Sequence, residues 1–578
     1  LADPRELLGA TADSEDVPAE EKARRERARE GGTGIVGYSA DDDGNRIVFT
    51  INGRLFLTDI GWNDETGAPE PHTRELAGEW LDEDPAMYTP VLNPRIAPDG
   101  EHVLYTTGSY LMLVDIGGEL GDRITAVYGV SVEDEDGNPA ENTWKIGLAE
   151  FVAGEEMDRY DGFWWAPDSQ HVLFESFDTA DEPTWHISDP ADPEKPDAGR
   201  RYPRALTRNA DVYLTVITLA FDENDRYAGI TGNADVDWDR EAYEYVAAVN
   251  WRRGHDPLVP VQNRRQTRDQ VLEVAVEADG AALGATRVLE EHANEQWIDL
   301  VHGTPAYTPD GRLVCSLNDM ATDTNRLTMD GRPFTPAGWN VRTVLAVTDE
   351  DVLAVVQRAP EIAPEVPDAW ADAAATESVF GDHDARSFDV VSIDYNGTIT
   401  PVTTDSGQWT ASRGERGIVV SGRDMRSARA QMRHILGEQS ATIASTAAEP
   451  GFTPNVTFTR LGEHQLYTAI IAPSPESPYA HAPANEEQQD LKRACPVKWI
   501  RKSLQKIPHD MFPLSPMEYL VYRTDSIIIS GKSKRFFRFY FIEPLRYFYY
   551  IHLASFCQSF YRIYFSCHCH FIYLKNHQ

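Results

Sequence analysis

A short acidic turn followed by an apolar strand recurs along the chain and constrains its fold more than any other feature. Asp-Gly and Pro-Asp-Gly favour tight turns, and the Val-, Ile-, Leu- and aromatic-rich runs that follow favour strands. The intervals between turns are about 40 to 86 residues, which is typical of β-propeller blades. A set of unrelated β-sandwich hairpins is the alternative. Four clear copies lie at residues 39–44, 97–100, 166–169 and 308–311, and three weaker copies at 221–224, 348–351 and 411–415.

The length of 578 residues predicts more than one domain. Residues 1–35 are assigned to an N-terminal helical segment, because residues 19–30 are strong helix formers between Pro18 and Gly31. Residues 36–450 carry the strand pattern and form the predicted propeller. Residues 481–578 differ from the rest in composition and are assigned to an unrelated, frameshifted or chimeric tail.

Charge separates the tail from the body of the chain. Residues 491–578 hold 14 Lys and Arg against 4 Asp and Glu. Residues 1–490 hold 39 Lys and Arg against 89 Asp and Glu. A body near −50 repels phosphate backbones, so nucleic acid is a poor partner and a cationic or neutral ligand is favoured. Aromatic residues are frequent in the tail, yet no nucleic-acid-binding motif accompanies them.

Cysteine and hydropathy patterns predict a cytoplasmic protein without a membrane span. Cys315 is the single cysteine of the body, which fits a reducing compartment. The chain opens without a basic segment followed by an apolar one, so secretion is not supported. The aromatic tail could suggest a transmembrane helix, but Glu543, Arg546 and Arg562 leave no clean apolar span of about 20 residues.

Most motifs that would imply a cofactor or catalysis fail on context. Gly32, Gly34 and Gly37 match the spacing of a dinucleotide fingerprint, but a predicted helix precedes them and a strand follows, the reverse of the required order. In Cys567-His-Cys-His570 the cysteines and histidines would face opposite sides of a strand, and no second cluster exists. The nucleophile elbow Gly-x-Ser-x-Gly does not occur in the 578 residues. We therefore predict no metal and no cofactor, and the residues alone indicate a binding scaffold.

One acidic pair stands out from this background. Glu155 and Glu156 are adjacent and lie just before the aromatic run 163–165. Adjacent carboxylates repel, so a fold that holds them together usually offers them a cation. The alternative is a solvated charge pair without a specific role.

The context of this pair resembles the double-Glu motif of bacterial dipeptidyl peptidase IV, in the prolyl oligopeptidase clan of serine peptidases. The similar segments are 150–160 with 163–168, then 202–209 and 262–270, and the resemblance spans about residues 5–475. It implies an eight-bladed β-propeller of the all-β class, with an N-terminal helix and, at residues 451–480, only the first strands of an α/β-hydrolase domain.

The resemblance also implies a function. In the family the two glutamates bind the α-ammonium of the substrate, so Glu155 and Glu156 would measure out an N-terminal dipeptide with Pro or Ala second. The catalytic Ser, Asp and His would lie in a part of the hydrolase domain that this sequence lacks, so no catalytic residue is assigned and the chain is expected to be inactive alone. The expected partners are peptide N-termini, and family members form homodimers. A non-catalytic propeller that binds peptides or proteins is the alternative.

Overall fold

The computed structural model shows an all-β propeller fold with few helices. It describes residues 2–8, 21–22, 25, 34–131, 142–188, 198–276, 282–358, 386–449, 451–462, 466–477, 519–523 and 526–531. The chain divides into two compact units: Leu1–Met320, Asn325–Phe334 and Val347–Asp349 form the first, and Ala321–Thr324, Thr335–Ala346 and Glu350–Gln578 the second.

The first two antiparallel sheets are four-stranded blades built from consecutive strands. Blade 1 contains β1 (Tyr38–Ala40), β2 (Arg46–Ile51), β3 (Arg54–Trp62) and β4 (Pro69–Glu75), and blade 2 contains β5 (Leu92–Ile96), β6 (His102–Thr106), β7 (Tyr110–Asp115) and β8 (Arg123–Gly129).

Blade 3 is more elaborate than its neighbours. Its strand order is β10-β11-β14-β15, and β9 also pairs with β11. A separate two-stranded hairpin, β12-β13, is inserted between β11 and β14. The strands are β9 (Trp144–Ile146), β10 (Phe163–Trp165), β11 (His171–Asp178), β12 (Thr184–Ile187), β13 (Ala198–Arg201), β14 (Asp211–Phe221) and β15 (Tyr227–Asp235).

Blades 4 to 7 return to the simple four-stranded order. Blade 4 contains β16 (Tyr245–Val246), β17 (Leu258–Gln262), β18 (Arg268–Val274) and β19 (Thr286–Ala293), and blade 5 contains β20 (Ala306–Tyr307), β21 (Leu313–Asp319), β22 (Thr324–Met329) and β23 (Arg332–Pro333). Blade 6 contains β24 (Trp339–Val347), β25 (Asp351–Arg358), β26 (Asp389–Asp394) and β27 (Ile399–Pro401), and blade 7 contains β28 (Gln408–Gly414), β29 (Gly417–Arg423), β30 (Gln431–Leu436) and β31 (Gln439–Ile443).

A last antiparallel sheet has the strand order β32-β33-β35-β34. Its strands are β32 (Asn455–Leu461), β33 (Leu466–Ala472), β34 (Tyr519–Arg523) and β35 (Ser526–Gly531). The α-helices among the described residues are short: α1 (Pro4–Leu8), α2 (Gly78–Glu83), α3 (Pro85–Tyr88) and α4 (Phe151–Glu156).

The core consists of apolar layers between successive blades. Because side chains alternate along a strand, one strand contributes to two layers. On β6, Val103 and Tyr105 pack with residues of blade 1, and Leu104 packs with residues of blade 3. On β11, Phe174 faces blade 2 and Leu173 faces blade 4. Central strands are therefore apolar on both faces, which explains the continuous hydrophobic runs in the sequence.

The prediction of eight blades is wrong, since the described residues form seven. Six of the seven turns lead into the second strand of a blade's four-stranded order: the four clear turns and those at 348–351 and 411–415. The turn at 221–224 instead connects β14 to β15, the last two strands of blade 3. Blade 4 lacks the motif, because the long segment 247–257 connects β16 to β17. The seven turns therefore mark only six of the seven blades, and blade 4 is the one without the turn motif.

The remaining boundary predictions are tested only in part. Most of the helix predicted at residues 19–30 lies outside the described residues, although residues 21–22 and 25 are helical. The strands β32 and β33 fall in the segment assigned to the hydrolase domain, but they pair with β34 and β35 in an antiparallel sheet, and no α/β-hydrolase arrangement occurs among the described residues. The Cys567-His-Cys-His570 motif, for which the sequence predicts no metal site, lies outside them.

Candidate functional site

The predicted pair Glu155-Glu156 forms the end of α4, in the segment that connects β9 to β10 of blade 3. Val152 and Ala153 on this helix are buried, whereas both glutamates are exposed to solvent. The helix packs its apolar side against Tyr245 and Ala247 of blade 4, and the carboxylates of the pair face the solvent.

Local chemistry explains why such a short helix forms. Glu150 is its N-cap: the side chain accepts hydrogen bonds of 2.6 Å from the amides of both Val152 and Ala153. An N-cap carboxylate satisfies amides that have no partner within the helix. The helix ends at Met157, whose amide bonds to the Ala153 carbonyl, and Asp158 follows with a left-handed φ of 58°.

The surface around the pair is rich in negative charge. The C-terminal end of a helix carries partial negative charge, which disfavours carboxylates there. Glu155 and Glu156 nevertheless occupy the last helical positions, and exposed Asp158 follows closely. Asp158 also accepts a hydrogen bond of 2.9 Å from the Tyr160 hydroxyl.

Glu175, on β11, anchors the segment that carries the pair. The edge of β11 pairs with β10 through residues 172–174 and with β9 through residues 176–178, so Glu175 lies where the partner changes. Its backbone accepts from the Gly147 amide at 2.8 Å and donates to the Gly162 carbonyl at 2.7 Å. Its side chain accepts from the Glu150 amide at 2.9 Å and from the Arg159 guanidinium at 2.5 Å. One residue thus holds the segment 147–162 at four points.

Arg159 extends this anchor to blade 4. The Nε atom of Arg159 donates to the Val246 carbonyl at 3.1 Å, and its Nη1 atom donates to the Asp161 carbonyl at 2.8 Å. Its Nη2 atom is the donor to Glu175. The Arg159–Glu175 pair is almost completely buried, with exposed side-chain fractions of 6% and 0%. A buried ion pair is tolerated when further hydrogen bonds satisfy both groups, as they do here.

Two buried carboxyl groups near α4 have perturbed pKa values. Burial raises the pKa of Glu175 to about 7, against the opposing effect of Arg159. Burial, followed by the negative charge of Glu150, also raises the pKa of Glu182 to about 7. Three acidic residues, Glu150, Glu175 and Glu182, are therefore buried near the exposed acidic pair. The ionisation of Glu175 and Glu182 depends on how far the local structure buries them.

A cavity of about 400 Å³ begins at the residue after Glu156. Its walls come from the segment 157–161, from blade 4 and from the segment 300–305 before blade 5. The wall residue Asp161 is fixed by Arg95 at 2.5 Å and by Asn93 at 3.0 Å. His292, also on the wall, is held between Asp269 and Glu290, which raises its pKa to about 10. Met157 and Asp158, the two residues directly after the acidic pair, line this cavity, whereas Glu155 and Glu156 are not among its lining residues.

Sequence reasoning identified the exposed pair but missed the residues that hold it, Glu150, Arg159 and Glu175. A signal existed for one of them, because Glu175 directly follows the apolar run 172–174 and is the only charged residue among residues 172–177 of a central strand. Such a residue is buried only with a partner. The partner lies 16 positions earlier in the chain and has no recognisable sequence spacing.

The described residues contain no helix that is long and apolar enough to cross a bilayer.

The seven antiparallel blades among the described residues define a β-propeller protein. Residues 50–352, more than half of the chain, match the family described as dipeptidyl peptidase IV (DPP IV) N-terminal region. The chain belongs to this family. Residues 155 and 156 lie within the matched range.

Individual proteins show the same relationship. The chain is 24% identical to human dipeptidyl peptidase 8 over 286 residues, covering 47% of this chain and 30% of the human protein. It is 24% identical to mouse dipeptidyl peptidase 8 over 306 residues, covering 49% and 33% of the two chains. It spans about a third of the length of these relatives.

A solved structure supports the fold. The crystal structure of Porphyromonas gingivalis dipeptidyl peptidase 4 matches with a TM-score of 0.50 and 15% identity, covering 82% of this chain and 62% of that chain. At this identity the likeness shows the fold and not the function.

Gly162 allows the two ends of the anchored segment to approach. A Cβ atom added there would lie 2.3 Å from the Leu148 carbonyl carbon. Backbone atoms cannot move aside cheaply, so we expect Gly162→Ala to lower the free energy of unfolding by about 1–3 kcal/mol. Urea denaturation measures this, with Gly37→Ala as the control, because nothing lies within 4 Å of a Cβ at Gly37. Equal stability of the two variants would contradict the close approach.

Glu182 is expected to make stability depend on pH. Because its pKa is raised from 4.5 to about 7, the folded state binds more protons than the unfolded state between these values. The free energy of unfolding should therefore fall as pH rises through this window. In Glu182→Gln the fall should be smaller by on the order of 1–3 kcal/mol. Denaturation curves at about pH 5 and pH 8 test this, and parallel pH profiles for both proteins would refute it.

Proposed function

We propose that the propeller is the substrate-N-terminus-binding part of a dipeptidyl peptidase IV-like serine peptidase. In this proposal Glu155 and Glu156 accept hydrogen bonds from the α-ammonium of a peptide whose second residue is Pro or Ala. The observation that carries it is the exposed, anchored pair directly before the cavity-lining residues Met157 and Asp158, in a chain of the dipeptidyl peptidase IV N-terminal region family.

The chemistry of the pair suits an ammonium group. An ammonium has three donors and no acceptor, and a carboxylate is an acceptor only. Two carboxylates on adjacent residues can accept two or more charge-assisted bonds, which are stronger than neutral ones. An N-acetylated peptide offers one neutral donor in place of three charged ones, so recognition should depend on the free amine.

Hydrolysis requires a nucleophile with a base, which the described site does not contain. No Gly-x-Ser-x-Gly elbow occurs in the sequence, and a serine without a base does not form an acyl-enzyme. We therefore propose that this chain binds peptide N-termini but does not cleave them by itself.

The same observation favours a second candidate function, a propeller that binds peptides or proteins without any catalytic role. Coding DNA around residues 475–495 separates the two candidates. A shifted frame that encodes Gly-x-Ser-x-Gly downstream would support the peptidase, and its absence would support the binding protein.

Peptide binding should depend on the charge of the pair. We expect Gly-Pro-Gly-Gly to give a calorimetric binding signal with the full chain, and Glu155→Gln with Glu156→Gln to weaken its affinity by about tenfold or more, because two charge-assisted bonds are lost. The N-acetylated peptide should bind no better to the wild type than the free peptide binds to this variant.

The matched control replaces another exposed acidic pair. Asp64→Asn with Glu65→Gln removes the same charge from the exposed loop between β3 and β4 of blade 1, in a different part of the fold from α4. This control should bind like the wild type. Equal losses in both double variants would show that net charge, and not the Glu155-Glu156 site, is responsible.

Hydrolysis by the isolated chain is tested with Gly-Pro p-nitroanilide. We expect release of p-nitroaniline at the rate of the buffer blank, because no activated nucleophile is available. Turnover above the blank that co-purifies with the chain through two further chromatography steps would disprove the proposed inactivity.

A further inference from the structure

We propose that Glu175 is a positioning residue for the Glu155-Glu156 pair, acting through Glu150 and Arg159 at the two ends of the segment that carries it. This inference rests on the proposed function, since the site it positions is the proposed ammonium site. It assigns to a completely buried carboxylate on β11 a role in ligand affinity, although Glu175 contacts no ligand itself.

The geometry of the two side-chain oxygens supports this role. Glu175 Oε1 accepts from the Glu150 amide, just before the first residue of α4. Glu175 Oε2 accepts from Arg159, three residues after Glu156. The acidic pair therefore lies on a ten-residue segment, residues 150–159, whose two ends meet at one carboxylate. Within the segment, the Arg159 amide bonds to the Ala153 carbonyl at 3.0 Å, which closes it further.

A carboxylate is the side chain best suited to this position. Both Glu175 oxygens act as acceptors, and glutamine has only one acceptor oxygen in its side chain. Aspartate keeps both acceptors but is one methylene shorter, so it cannot reach Glu150 and Arg159 together. Since Arg159 also bonds to Val246 of blade 4, the carboxylate indirectly fixes the segment against two blades.

Positioning matters because an ammonium must meet both carboxylates at once. A displacement of about 1 Å in a binding group can cost up to about a hundredfold in a function that depends on alignment. Freeing either end of segment 150–159 would allow α4, together with the wall residues Met157 and Asp158, to move relative to the part of the cavity wall that blade 4 contributes.

The main test removes the buried pair as a unit, with Arg159→Met and Glu175→Gln together in the full chain. Loss of one partner would leave a buried charge and could prevent folding, whereas replacement of both is often nearly neutral for stability. We expect the melting temperature to change little and the Kd for Gly-Pro-Gly-Gly to rise by about tenfold or more. Amides 152, 153 and 157 should exchange with deuterium faster, while those of residues 172–174 should be unchanged.

The control variant removes an ion pair of similar geometry elsewhere. Arg413→Met with Asp351→Asn deletes a bidentate pair with distances of 2.6 and 2.9 Å between β28 and β25. It should leave the affinity and the exchange of segment 150–159 unchanged. Glu175→Asp is the conservative variant, and it should fold and weaken peptide binding, so the test remains informative if the double variant is unstable.

A double-mutant cycle separates positioning from general destabilisation. In a chain that already carries Glu155→Gln and Glu156→Gln, the Arg159→Met and Glu175→Gln changes should cause no further loss of affinity, because both sets act through the same carboxylates. Additive losses would overturn the proposal, as would a wild-type Kd in a double variant or unchanged exchange in segment 150–159. If the wild type itself binds no peptide, the proposed function fails. If the wild type binds the peptide but substitution of Glu175 does not change the affinity, only the positioning role fails.

Discussion

The structure depends on apolar packing between neighbouring blades, which supplies most of the buried apolar side chains among the described residues. Each central strand contributes alternate side chains to the layers on its two sides, so the strands must be apolar on both faces. Val103 and Leu104 of β6 are neighbours in sequence, yet they belong to different layers. Any polar group inside such a strand must find a partner within these layers, and this requirement determines where the unusual features of the molecule can lie.

Glu175 is the clearest of these features. It occupies the point at which the edge of β11 changes its pairing partner from β10 to β9, and the segment that connects these two strands leaves the sheet there. Backbone groups at such a junction need partners other than a regular ladder, and Glu175 with Arg159 provides them. The segment that leaves the sheet beside Glu175 is also the segment that carries the acidic pair, so the same contacts of Glu175 support both features.

The sequence predicted the architecture better than the number of blades. The acidic turns and apolar strands correctly indicated a β-propeller, because turn chemistry and strand alternation are local properties. The count failed because a turn motif reports a hairpin but not its place within a blade. The turn at 221–224 joins the outer strands of blade 3, and blade 4 uses the long segment 247–257 without the motif.

The sequence alone determined the propeller class, the acidic character of the body and the adjacent carboxylates at 155 and 156. These follow from residue type and short-range spacing, which act through turn preference, charge and neighbouring side chains. Only the tertiary structure decided that the pair lies exposed at the end of a partly buried helix, directly before residues that line a cavity, and that Glu175 and Arg159 hold the segment that carries this helix. Contacts between residues 150, 159, 175 and 246 depend on how blades 3 and 4 pack, and no local pattern encodes such packing.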